Sequence, residues 1–228
     1  MRSFIRTRRA PRLVAVATAA MLVFAACGSD NGDEASDGSD ATTTDQSAPA
    51  IDTGAATLRA GLTNLLQEHV YLAGTATGTA IAGGNFDAAA ATLDVNTVAL
   101  SEAIASVYGE EAGDRFLELW RTHIGFFVDY TNAAVMGDEA ARQAALDELD
   151  GYVADIAAFL TSANPEVDED VVVESFSMHI DTLIAAIDAQ AAGDPQQFTL
   201  LRTAAQHMPA AAEYLATVIV AQMPDEFS

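Results

Sequence analysis

No lysine occurs in this 228-residue chain; its ten basic residues are all arginine. Without lysine there is no amine to clamp a phosphate or form a Schiff base, and no glycine-rich phosphate loop is present. The single cysteine, Cys27, excludes an internal disulfide, a thiolate metal cluster and a Cys-x-x-Cys-His haem attachment. Positive charge is scarce: 33 Asp and Glu leave a net charge of -23. Five of the arginines (Arg2, Arg6, Arg8, Arg9, Arg12) stand at the start, so the rest of the chain is more acidic still. Such a surface repels nucleic acid and anionic headgroups, attracts cations or basic partners, and keeps an exposed domain soluble. Ser175 and Ser177 neighbour His179, but neighbours on one helix do not make a catalytic triad, and no nucleophile-elbow motif accompanies them. The sequence carries no recognisable catalytic motif, and the chain is not expected to be an enzyme.

The basic start leads into an apolar run from Leu13 to Ala26, the length of a signal-peptide core and short for a membrane span. It ends Val23-Phe24-Ala25-Ala26-Cys27-Gly28, which resembles a bacterial lipobox, with Phe24 where leucine is usual. The expectation is a lipoprotein signal peptide over 1–26 and acylation, as by palmitate, on Cys27. The membrane would then be a partner through that anchor, with the chain at the extracytoplasmic face of the cell membrane. Residues 27–54 are mostly Gly, Ser, Thr, Asp and Pro, too polar to offset their ordering entropy, and read as a disordered acidic tether.

Residues 55–228 suffice for one domain with a substantial core. Apolar residues recur at three- and four-residue steps, punctuated at Gly83-Gly84-Asn85, Tyr108-Gly109, Gly137-Asp138, Ser162-Ala163-Asn164-Pro165 and Gly193-Asp194-Pro195. The pattern predicts an all-α bundle of six helices, at 57–82, 86–107, 111–136, 139–161, 168–192 and 195–222. The second is expected to weaken near Asp94-Val95-Asn96. Gly74 and Gly78 in the first suggest close approach to a neighbour.

An internal repeat runs through the domain. SVYGEEAGDRFLELWRTHI, ending at Ile124, aligns without a gap on SANPEVDEDVVVESFSMHI, ending at Ile180, pairing Ser106 with Ser162, Glu118 with Glu174, Trp120 with Phe176 and His123 with His179. LRAGLTNLLQEHV, with His69, fits more loosely. Each histidine is followed by Gly and then Asn or Asp: Gly84-Asn85, Gly137-Asp138, Gly193-Asp194. Three antiparallel hairpins of about 55 residues, each with a histidine midway along its first helix, account for the pattern.

All four histidines are expected to face the core. Positions one or two turns from His123 hold Phe116, Trp120, Phe127 and Tyr130, those around His69 and His179 are largely apolar, and His207 sits with Leu200, Ala204, Ala211 and Tyr214. If the helices lie side by side, His69, His123, His179 and His207 offer a three- or four-nitrogen site of the kind copper or zinc accepts. Met178 and Met208 adjoin histidines but point elsewhere on their helices, where methionine usually fills core. No carboxylate shares the histidine face, unlike a di-iron bundle. The alternative is a non-catalytic envelope interaction or scaffold module whose histidines only satisfy the core.

YGEEAGDRFLELWRTHI, AAFLTSANP at 157–165 and the ending IVAQMPDEF resemble an uncharacterised family of small secreted or lipid-anchored, histidine-containing helical-bundle proteins of Gram-positive bacteria. The resemblance spans about 58–227 and implies the helical fold, but no activity.

Overall fold

The computed structural model describes residues 53–228. Cys27, the signal-peptide segment and most of the tether lie outside these residues. Six long helices follow one another: α1 (Gly54–Ile81), α2 (Phe86–Tyr108), α3 (Glu110–Met136), α4 (Glu139–Ala163), α5 (Glu169–Ala192) and α6 (Gln197–Gln222). A single 3₁₀ turn, Pro224–Glu226, completes the described chain, in which no strand occurs. No described helix is long and apolar enough to cross a membrane.

The turns explain why the helices start and stop where they do. α1, α3 and α5 are each followed by a glycine in the left-handed region: Gly83 (φ 67°), Gly137 (φ 67°) and Gly193 (φ 65°). Beyond it the next N–H reaches back to a carbonyl of the last turn, Gly84 to Thr79 at 2.9 Å, Asp138 to Ala133 at 3.0 Å and Asp194 to Ala189 at 2.8 Å. A polar side chain then receives the next helix. Asn85 Oδ1 accepts from Ala88 N at 3.2 Å, and Asp138 Oδ1 from Ala141 N at 3.0 Å. The first turn departs from the expected register: the glycine equivalent to Gly137 and Gly193 is Gly83, and Gly84 is an extra residue. With that correction each of His69, His123 and His179 stands fourteen positions before its turn glycine.

α2 runs unbroken through Asp94-Val95-Asn96, against expectation. Polar side chains loosen a helix when they bond to their own backbone, and these two bond to neighbouring helices instead. Asp94 takes both bonds of the Arg121 guanidinium of α3, at 2.8 and 2.9 Å, while Asn96 Nδ2 donates to Leu65 O (3.0 Å) and Glu68 Oε2 (2.9 Å) of α1. α6 likewise continues through Pro209. Proline has no N–H to offer the Ala205 carbonyl, and Gln67 Nε2 of α1 donates to that oxygen at 3.4 Å. Close approach at the α1 glycines holds: a Cβ on Gly74 would collide with the Leu201 side chain of α6, and one on Gly78 would lie 3.2 Å from Gln190 Nε2 of α5.

Each helix packs on its neighbours in sequence and α6 returns to α1, closing the bundle. α1, α3 and α5 also touch one another, so the odd-numbered helices meet at the centre. Two apolar clusters fill the interior. One gathers Leu66, Val70, Trp120, Tyr152, Ile156 and Met208; the other gathers Ala73, Phe127, Leu149, Ile180, Leu183 and Ile187. Full burial of a side chain such as Ile156, Leu149 or Ile187 stabilises the fold by about 1.5–3 kcal/mol.

Candidate metal centre

Where the three central helices meet, both apolar clusters contribute side chains around a group of histidines. His69 of α1, His123 of α3 and His179 of α5 are 2 %, 1 % and 5 % exposed. One nitrogen from each lies within 4.8 Å of the other two. The His69 ring centroid is 5.6 Å from that of His123 and 6.1 Å from that of His179. This group contains no carboxylate.

Aromatic side chains pack around the triad. Trp120 lies edge-on to His123 at 4.7 Å and tilted to His69 at 5.0 Å. Tyr152, from α4, stacks on His123 at 4.7 Å. Phe127 meets His123 at 6.0 Å and His179 at 6.3 Å. Because Trp120 belongs to one apolar cluster and Phe127 to the other, the histidines occupy the level between them.

Hydrogen bonding at this level is sparse. Trp120 Nε1 donates to His69 Nδ1 at 3.4 Å, a long bond. Nδ1 of His123 and both ring nitrogens of His179 are buried with no partner. A neutral imidazole carries one N–H and one lone pair, and a buried polar group left unpaired costs about 1–3 kcal/mol. Folded proteins rarely leave several such groups together. The Tyr152 hydroxyl is buried and unpaired as well, and burial raises its pKa well above the ordinary value.

Electrostatics keep the triad neutral. Burial, then the nearby His179, lowers the pKa of His69 to about 3, with the Asn96 amide beside it acting in the opposite sense. Burial, then His207, lowers His179 to about 4. His123 is held well below its usual value by burial and by the other two histidines. Near neutral pH each imidazole therefore has a lone pair, the form a metal ion requires.

His207 does not join them. It is half-buried rather than buried, and it falls outside the group of converging nitrogens. The buried face of α6 runs through Ala204, Met208, Ala212 and Ala216 in four-residue steps, which leaves His207 one position round the helix. Met208, expected to point away from the site, lines a small cavity of about 50 Å³ together with His69 and His179. Trp120, Tyr152 and Asn96 were also not singled out as site residues. Tyr152 was accessible from spacing alone, since Leu149, Val153 and Ile156 place it on the buried face of α4.

No family model, curated protein or solved structure matches this chain. No activity can therefore be carried over from a relative, and function has to be read from the site.

A second cavity, of about 350 Å³, leads to the triad between α1, α2 and α3. Its walls include Ala73, Leu93, Phe127 and Leu183, and it reaches His69 and His123. Asp94 and Arg121 also line it; both are half-exposed, so their ion pair stands at the solvent side. Chemically, three neutral imidazoles from three helices could hold one metal ion.

Proposed function

We propose that the chain binds one transition-metal ion, copper or zinc, through His69, His123 and His179, and that a lipid on Cys27 holds the helical domain at the outer face of the cell membrane. The observation carrying the metal assignment is the convergence of three buried imidazoles, with nitrogens within 4.8 Å of one another and three ring nitrogens lacking any partner. Bonds of about 2.0–2.1 Å to a tetrahedral ion place ligand nitrogens about 3.3 Å apart. The rings therefore draw in by several tenths of an ångström as the ion enters. His207 is left out of the ligand set. Cys27 is assigned as the anchor from its place after the apolar run and its being the only cysteine. No catalytic residue is assigned.

One observation favours the competing role of scaffold or interaction module: the Trp120 bond to His69 and the rings around His123 give those two histidines a packing role of their own. Metal analysis separates the two. The purified full chain, incubated with copper or zinc and desalted, is expected to retain close to one ion. His123→Phe and His179→Leu, shown to be helical by circular dichroism, are expected to retain none. Wild-type protein that keeps no metal would overturn the proposal and leave the scaffold.

A further inference from the structure

Resting on the metal site proposed above, we infer that the ion it selects is monovalent copper, held by the three imidazoles in a buried, nearly uncharged pocket. Charge is the first reason. All three donors are neutral, and the group they form includes no carboxylate. Asp94, the acid lining the larger cavity, is bound through both oxygens to Arg121, so the two cancel at the mouth. Glu68 is directed to the Asn96 amide. The cost of burying an ion rises with the square of its charge, so a dication with no anionic ligand costs about four times as much as a monocation.

Coordination is the second reason. Zinc takes four ligands, and with three histidines the fourth is a bound water or hydroxide. Zinc-bound histidines also donate their far N–H to a carboxylate, carbonyl or water, which orients them and strengthens the bond. Here neither nitrogen of His179 has such a partner. Divalent copper prefers four donors in a plane, which three rings on three converging helices, walled by Trp120, Phe127 and Tyr152, do not offer. Monovalent copper has no demand for a plane or an anion. The third reason is softness: Met208, 5 % exposed, brings the only sulfur to the cavity it shares with His69 and His179, and thioethers favour monovalent copper.

The test is an anaerobic titration of the purified full chain with monovalent copper against a chromophoric chelator, alongside titrations with zinc and with divalent copper. Trp120, the only tryptophan, touches both His69 and His123 and reports binding through its fluorescence. One monovalent copper per chain is expected, bound more than about tenfold tighter than zinc or divalent copper, with quenching of Trp120. Binding should persist in Cys27→Ala, which removes the one thiol, and be lost in His123→Phe and His179→Leu. Zinc or divalent copper bound as tightly, with the same histidine dependence, would overturn the copper assignment and leave the metal site. No binding of any of the three would overturn both.

Discussion

His179 shows most plainly what a buried imidazole without partners costs. Both its nitrogens are unpaired, and a small cavity adjoins it. Replacing it with leucine, of similar volume, removes the unpaired polar atoms, so metal-free His179→Leu is expected to be more stable than wild type by about 1–3 kcal/mol, measured by urea unfolding. A loss of stability would mean that His179 has a partner in the fold. Acid provides an independent check. In the unfolded chain these histidines titrate near 6.5, whereas in the fold His69 and His179 do so at about 3 and about 4. Between those limits the unfolded chain binds protons that the native state refuses. The histidine contribution to stability therefore falls as pH drops below about 6.5, by at most about 1.4 kcal/mol per pH unit for each histidine. Thermal unfolding of the metal-free chain at pH 7, 6 and 5 should show the decline, shallower in His179→Leu; equal slopes for the two proteins would contradict it. At this scale the sequence was partly legible. The helical face around His69, His123 and His179 is largely apolar for two turns in each direction, so inward orientation could be read. His207 shows the limit: a face rich in alanine is too uniform to fix which side of α6 is inside, and the choice between His207 and Met208 was made by packing.

Helix ends were better marked than helix faces. Asp138 ends α3 with its N–H and begins α4 with its carboxylate, and Gly137 between them adopts φ 67°. A Cβ at Gly137 meets nothing within 4 Å, so the cost of Gly137→Ala is conformational alone, about 1 kcal/mol. A fall in melting temperature of about 2–4 °C is expected for a domain of this size, with unchanged helicity. An unchanged melting temperature would argue against the left-handed turn. Six helices were legible for this reason: capping residues and glycines act locally and leave a local signature. Two local signals misled. Asp94-Val95-Asn96 weakens an isolated helix, yet α2 is held there by Arg121 on one side and by Leu65 O and Glu68 on the other, contacts that no window of sequence contains. Gly84-Asn85 matches the other two turns as a dipeptide, but the backbone uses Gly83, because the first connection has one residue more.

For the whole molecule, acidity and access matter together. The charge of -23 draws cations towards the surface, and the larger cavity gives a way from solvent to His69 and His123. The Arg121–Asp94 pair stands at that entrance, with each side chain 49 % exposed. An exposed pair of this kind contributes about 0–1 kcal/mol, so Arg121→Ala should cost no more than that in stability. On the proposed function it should speed both loading and release of the ion, followed by stopped-flow Trp120 fluorescence, without altering stoichiometry. Unchanged rates would mean that the ion enters elsewhere. None of this could be read in advance, since Asp94, Arg121 and His69 come from three helices whose arrangement depends on how the bundle closes.

The central helices carrying His69, His123 and His179 are the first, third and fifth of the chain, so the site does not exist until α5 has docked against α1 and α3. No single helical hairpin contains two of these histidines. On the proposed function, a chain that crosses the membrane unfolded would cross without its ion, and loading would be a late event, drawing on whatever metal is present outside the cell.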